Sequence, residues 1–296
     1  MKRTNKNNPQ PSAILTADWH LRDDVPVCRT DDFWTAQWTK VEEIRRIQMA
    51  FDIPVIHAGD LFHRWKPSPH LLSVTIHNLP EQFWTIYGQH DLPQHNLELA
   101  HKCGINVLLA AEKLNLLKGY HWGEAPDQDN LRYSWRWYQD RKMAVWHHLT
   151  YQTKPFPDAT GGMAKGILKK YPQFDIIVTG DNHKTFVESY EGRLLVNPGS
   201  LTRQTADQIN HRPCVYLYYA ETNTVEQVLL NYEDKVISRE HIEKETSRDN
   251  RIEAFISRLE TDWEAEMSFE ENLKRFATAN NIQSEVMNIV YKAIEK

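Results

Sequence analysis

Five stretches of this 296-residue chain put an aspartate, a histidine or both directly after a short apolar run. They are TADWH, with Asp18 and His20; HAGDLFH, with Asp60 and His63; YGQHD, with Gln89, His90 and Asp91; VWHHLT, with His147 and His148; and VTGDNH, with Asp181 and His183. A single histidine after a strand is ordinarily a hydrogen-bonded side chain with no further task. Five sets of carboxylates and imidazoles gathered at one place would be costly or repulsive without a cation to satisfy them, so a metal site is the economical explanation. Oxygen and nitrogen donors without thiolates suit Mn²⁺, Fe or Zn²⁺ better than Ca²⁺ or a thiolate-bound structural zinc. The donors also outnumber the needs of one ion. A carboxylate shared between two ions about 3.5–4 Å apart builds the clamp used in phosphoester hydrolysis, and Asp60, held after the glycine of GD, is the candidate bridge.

Such a site needs elements that carry all five turns to one place. Short apolar runs alternate with helical patterns from Ala13 onward, which predicts an α/β fold with strands buried on both faces. Strands are expected at 13–17, 54–58, 83–87, 105–109, 143–147, 175–180, 194–197 and 214–220, with a further candidate in TVEQVLLNY. Helices are expected at about 32–51, 69–79, 96–102 and 162–171. In open α/β sheets ligands bind beyond the carboxyl ends of the strands, where all five motifs fall.

Residues 1–12 are polar, carry two prolines and read as a flexible N-terminal arm, leaving 13–238 as the catalytic domain. Beyond it, 239–296 reads as a helical region. Ile252, Phe255, Ile256, Leu259, Trp263 and Met267 fall at helical spacing on an acidic helix; Ser268 and Glu271 suggest a capping box, and Ser284 opens a third helix. That apolar stripe serves either the protein's own core or a partner. Net charge is −5; residues 239–296 hold nine Lys+Arg against thirteen Asp+Glu, so the remainder is close to neutral at 26 against 27. Without a basic tract, any contact with nucleic acid must be local, metal-assisted or shared with a partner. No apolar run approaches a membrane span and the start lacks a signal-peptide pattern, so a cytoplasmic location is expected. Cys28, Cys103 and Cys214 are scattered, which argues against disulfides and a thiolate zinc site.

The series DxH, GDLFH, GxHD, a strand-end histidine and GDxH resembles the calcineurin-like metallophosphoesterase superfamily over roughly 13–220. GDLFH and HHLT are similar to the nuclease subunit of SbcCD-type DNA repair complexes, and NPGSLTRQTADQINHRPCVYLY to its phage-borne members. The resemblance implies a four-layer α/β/β/α sandwich, two divalent ions with Mn²⁺ preferred over Fe, Zn or Mg, and cleavage of DNA by metal-activated hydroxide. It implies one ion held by Asp18, His20, Asp60 and His183, and a second by Asp60, Gln89, His148 and Asp181; the HLT match favours His148 over His147. His90 becomes the general acid with Asp91 orienting its ring, and His63 assists at the scissile phosphate. A coiled-coil ATPase partner of SbcC type and a homodimer are further implications, as is the host cytoplasm for a phage-encoded chain. A small-substrate phosphatase or cyclic-nucleotide phosphodiesterase is the alternative with the same metal chemistry.

Two positions depart from the family pattern. Gln89 stands where the family has Asn, and Asp181 where it has the first His of GHxH. Both fall on the second ion, which is thereby either retuned toward a hard cation or weakened. RYSWRWYQD (132–140) interleaves arginines with aromatic rings that could stack on bases, though a half-buried strand gives the same alternation and is preferred.

Overall fold

The computed structural model describes residues 9–127, 129, 132–133, 135–136, 140–154, 160–261 and 269–294. Residues 1–8 of the expected arm lie outside this set, as do Ser134 and 137–139 of the aromatic stretch and Trp263, Met267 and Ser268 of the C-terminal region. The chain divides into two units, Met1–Ser238 and Arg239–Lys296.

The first unit is built on two sheets. One runs in the order β13 (Thr224–Leu229), β12 (Cys214–Tyr219), β1 (Ala13–Thr16), β2 (Val55–His57), β3 (Phe83–Thr85), β4 (Asn115–Leu116). The other runs β10 (Phe186–Tyr190), β11 (Arg193–Asn197), β9 (Ile176–Gly180), β6 (Lys142–His147), β5 (Trp135–Arg136), and β7 (Thr150–Tyr151) pairs separately with β8 (Gly162–Met163). Strands β1 to β4 are mutually parallel, as are β6, β9 and β11, with antiparallel strands only toward the edges.

Alternation along each strand sorts side chains between layers. Ala13 and Leu15 of β1 join Met143 and Val145 of β6 and Ile176 and Val178 of β9 in the core between the sheets. Ile14 points the other way, onto Val41 and Ile44 of α1 (Phe33–Phe51), Leu71 of α2 (Pro69–Asn78) and Ile105 and Leu108 of α3 (Gly104–Ala110). Ala144, Trp146 and Ile177 face Ala164, Ile167 and Leu168 of α4 (Ala164–Lys170). The result is the α/β/β/α sandwich. Helix starts follow local chemistry: Asp32 caps α1 by accepting from the Thr35 N–H, and Ser68 with Pro69 opens α2.

One expected strand is a helix. Residues 105–109 form most of α3, with Ile105 and Leu108 buried three apart and Val107 exposed, which is helical and not strand spacing. The place beside β3 goes to β4 instead. Three cysteines are free and buried. Arg132 is held in an ion pair with Glu124 at 2.7 Å and lies over the Tyr120 ring, so its guanidinium is committed within the fold, while Trp135 and Arg136 form β5.

The second unit comprises α5 (Glu240–Thr261), α6 (Phe269–Ala279) and α7 (Ser284–Ile294). Leu273 and Phe276 of α6 and Met287 of α7 make a small core of their own, with Ile252, Phe269, Val286 and Ile289 exposed. No helix among the described residues is long and apolar enough to cross a membrane.

Candidate metal centre

Strands β1, β2, β3, β6 and β9 all point their carboxyl ends the same way, and the five motifs converge there. The turns interlock through the backbone: Asp18 N–H donates to the Gly59 carbonyl at 3.1 Å and His20 N–H to the Asp60 carbonyl at 3.0 Å. The Asp181 N–H donates to Asp18 Oδ1 at 3.0 Å, tying β9 to β1 across the two sheets. Asp18, His20, Asp60 and Asp181 all take left-handed backbone angles, with φ of 50°, 44°, 58° and 80°. Such a conformation costs a non-glycine residue about 1 kcal/mol or more, and its concentration at four residues on three turns of one cluster points to function. Glycines make the close approach feasible. Gly59 has φ +90°, and a β-carbon there would lie 2.5 Å from His147 Nδ1; one on Gly88 would collide with the Asp60 carboxylate.

The side chains form one continuous series. His183 Nε2 is 3.1 Å from His20 Nε2, which lies 3.6 Å from Asp60 Oδ2; that oxygen is 3.4 Å from His147 Nε2. His147 Nε2 meets Gln89 Oε1 at 2.6 Å, and Gln89 Nε2 donates to Asp181 Oδ1 at 2.5 Å. Asp60 stands in the middle, fully buried, and its Oδ2 accepts no hydrogen bond. Asp18 Oδ2 and His20 Nδ1 are buried and unpartnered as well. Buried polar atoms left without partners are exceptional unless something outside the protein satisfies them. Among the described residues, three donor sets have their ligand atoms within 4.8 Å of one another: Asp18, His20 and His183; Asp18, Asp60 and His147; His20, His63 and His90.

The electrostatics describe a pocket that demands positive charge. Burial pushes the Asp18 carboxyl well above its usual range, with Asp60 adding to the rise against the pull of His147. For Asp60, burial is outweighed by the imidazoles of His147, His20 and His90, and its pKa falls. Burial lowers His147, but Asp60, Asp18 and Asp181 together push it up to about 10. His20 and His183 are lowered chiefly by burial and stand neutral, the form that binds a metal. Buried, unpartnered oxygen and imidazole donors of this kind fit a divalent cation.

A family model described as the calcineurin-like phosphoesterase superfamily domain matches residues 16–222, well over half of the chain. The chain belongs to the calcineurin-like phosphoesterase superfamily. Among solved structures it is similar to an archaeal phosphodiesterase, at 15% identity and a TM-score of 0.41, covering 74% of this chain and 99% of that one. Vps29 of Cryptosporidium parvum aligns at 15% identity and a TM-score of 0.36 over 76% of this chain and 100% of that one. Vps29 of Entamoeba histolytica, solved with Zn²⁺, aligns at 15% and 0.32 over 74% and 99%. No curated protein matches the chain.

Within this calcineurin-like framework, two residues stand elsewhere than their motifs suggested. His147, not His148, reaches the Asp60 carboxylate. Along β6, Met143 and Val145 face the space between the sheets, so His147 continues inward; His148 shares the outward parity of Trp146 and stacks on its indole, 4.0 Å between centroids and 2° from parallel. Asp91 does not touch the His90 ring. Its carboxylate accepts from the N–H groups of Asp60, Phe62 and Gly88 at 2.9, 3.1 and 3.0 Å, and it holds the GD turn. Burial and the Asp60 charge push its pKa up to about 7. The His90 ring is oriented instead by Nδ1, 2.9 Å from the His63 carbonyl, while its N–H donates to Asp60 Oδ1 at 2.8 Å. His63 lies beside it, ring centroids 5.6 Å apart, its pKa lowered to about 4 by burial and by Arg22 and His90.

Proposed function

We propose that this calcineurin-like protein is a two-metal phosphodiesterase acting on DNA, the nuclease subunit of a repair or recombination assembly. The observation that carries the chemistry is the unpartnered Asp60 Oδ2, 3.6 and 3.4 Å from imidazole nitrogens on either side, as a bridging carboxylate requires. Asp18, His20, Asp60 and His183 would hold one ion; Asp60, Gln89, His147 and Asp181 would hold the other. Divalent ions bound there lower the pKa of water and offset charge on a phosphate. Asp181 contributes a carboxylate where the family pattern has imidazole, which favours a hard ion such as Mn²⁺.

The protein's own part follows from the half-exposed histidines. With Nδ1–H given to the His63 carbonyl, His90 presents Nε2 as the atom that holds and delivers a proton to the departing oxygen. His63, neutral at physiological pH, lines the same side and positions the phosphate. The GDLFH form supports DNA over a small ester. The exposed apolar residues of α6 and α7 suit an ATPase partner that presents the DNA.

A second reading has one specific observation behind it. Both polar ends of Gln89 are engaged, by His147 and Asp181, which suits a weakened second ion site. End-labelled single- and double-stranded DNA incubated with the purified chain and Mn²⁺ tests the nuclease reading, with His63→Ala alongside, and the number of Mn²⁺ ions bound per chain tests the weakened second site. Breakdown that requires Mn²⁺ and falls in the variant is expected. Intact DNA together with hydrolysis of an aryl phosphodiester would move the substrate to a small ester.

A further inference from the structure

We infer that the cleft beside the Asp181–His183 turn is a nucleotide subsite, in which Lys184 and Arg212 hold the phosphate next to the scissile one. The inference rests on the proposed phosphodiesterase reading and adds where the strand continues. The cleft measures about 650 Å³; one wall is the turn carrying Asp181 and His183, and the lining includes Lys184, Asn210, Arg212 and Tyr216, with one further carboxylate, Asp207. It is therefore continuous with the metal centre on the β9 side, and its size falls in the range of about 300–1,000 Å³ that holds one small ligand and not a duplex.

Charge separates this cleft from an ordinary groove. Lys184 and Arg212 are both exposed, and neither has an ion-pair partner within 4.0 Å among the described residues, whereas Arg22, Arg29, Arg132, Arg141 and Arg193 are all paired. Two uncommitted cations beside a carboxylate-rich centre answer the problem set by a nearly neutral body, since phosphate contacts must then be few and local. Lys184 follows the His183 position by one residue, so its backbone belongs to the same turn, and the Lys184 N–H donates to Asn182 Oδ1 at 3.1 Å, which fixes that turn. Arg212 arrives from a distant loop, beside His211, whose Nε2 is anchored 2.7 Å from the Ser200 carbonyl. Tyr216 on β12, almost fully buried, closes the floor of the cleft, and exposed Asn210 offers an amide able to meet a base edge. Single-stranded DNA, or a strand end unpaired from its complement, is the substrate form that fits.

The test is binding, read apart from turnover. Fluorescence anisotropy of a labelled oligothymidylate is measured against salt with chelator present, for wild type, Lys184→Ala, Arg212→Ala and the charge-retaining Lys184→Arg. Each alanine variant is expected to weaken binding roughly tenfold and to reduce the salt slope by about 0.7, with Lys184→Arg restoring the slope. Mn²⁺ bound per chain is measured on separate, chelator-free aliquots of the same proteins and stays at the wild-type value. Wild-type affinity and slope in both alanine variants would overturn the subsite, as would no measurable binding by wild type. Weakened binding accompanied by loss of Mn²⁺ would also overturn it, because the residues would then act through the metal turn. Failure of the phosphodiesterase reading shows separately, as absence of Mn²⁺-dependent hydrolysis of an aryl diester.

Discussion

His90 and Asp91 are neighbours with separate tasks, and substitution should pull those tasks apart. His90 has its ring fixed by the His63 carbonyl, and it reaches the central Asp60 carboxylate through its backbone N–H, which the substitution keeps. His90→Ala is expected to keep its metal and to lose turnover by about 10²–10⁴, the usual worth of a positioned acid. Asp91→Ala strips acceptors from four buried N–H groups and should cost about 3 kcal/mol in urea unfolding, with metal lost as the GD turn relaxes. An Asp91→Ala protein of unchanged stability whose turnover alone fell would return Asp91 to the orienting role that its sequence neighbour suggested. The residue types and their strand-end positions were legible in the sequence. The choice between His147 and His148 was legible only through strand parity, since motif matching pointed to the residue that stacks on Trp146. The Asp91 partners could not be read, because backbone N–H groups leave no mark in a sequence.

The elements show why five loops can be held to such close tolerances. Parallel strands β1, β2 and β3 are in register at Thr16, His57 and Thr85, so their turns leave the sheet at one level. His57 occupies the last position of β2, fully buried, with Nδ1 2.8 Å from Thr85 Oγ1 and Nε2 unpartnered. Burial, reinforced by His147, pulls its pKa down to about 3. Between about 6.5 and 3 the unfolded chain binds a proton at this residue that the folded chain refuses, so the stability contribution is complete above pH 6.5 and is lost on acidification through that window. Urea midpoints measured from pH 7 to pH 4 with chelator present should fall, and His57→Gln should reduce the slope by about 1.4 kcal/mol per pH unit. An unchanged slope would mean that His57 is protonated in the fold. Strand and helix periods were readable for most elements. The run INVLL was not, because a short apolar stretch is compatible with either period until its neighbours take the open sheet position, here Asn115–Leu116.

At the scale of the molecule, two sheets each bring parallel strands to one edge, and the candidate metal donors come from both: Asp18, Asp60 and Gln89 from the first, His147, Asp181 and His183 from the second. The sandwich itself is thus part of the site, since loss of sheet packing would separate the two halves of the donor set. The bridge between them is Asp60, and the central claim is that it joins two ions. Chelated wild-type protein titrated with Mn²⁺ should take up two ions per chain, and Asp60→Asn should lose both along with hydrolysis of an aryl diester. One ion per chain, retained unchanged in Asp60→Asn, would contradict the account.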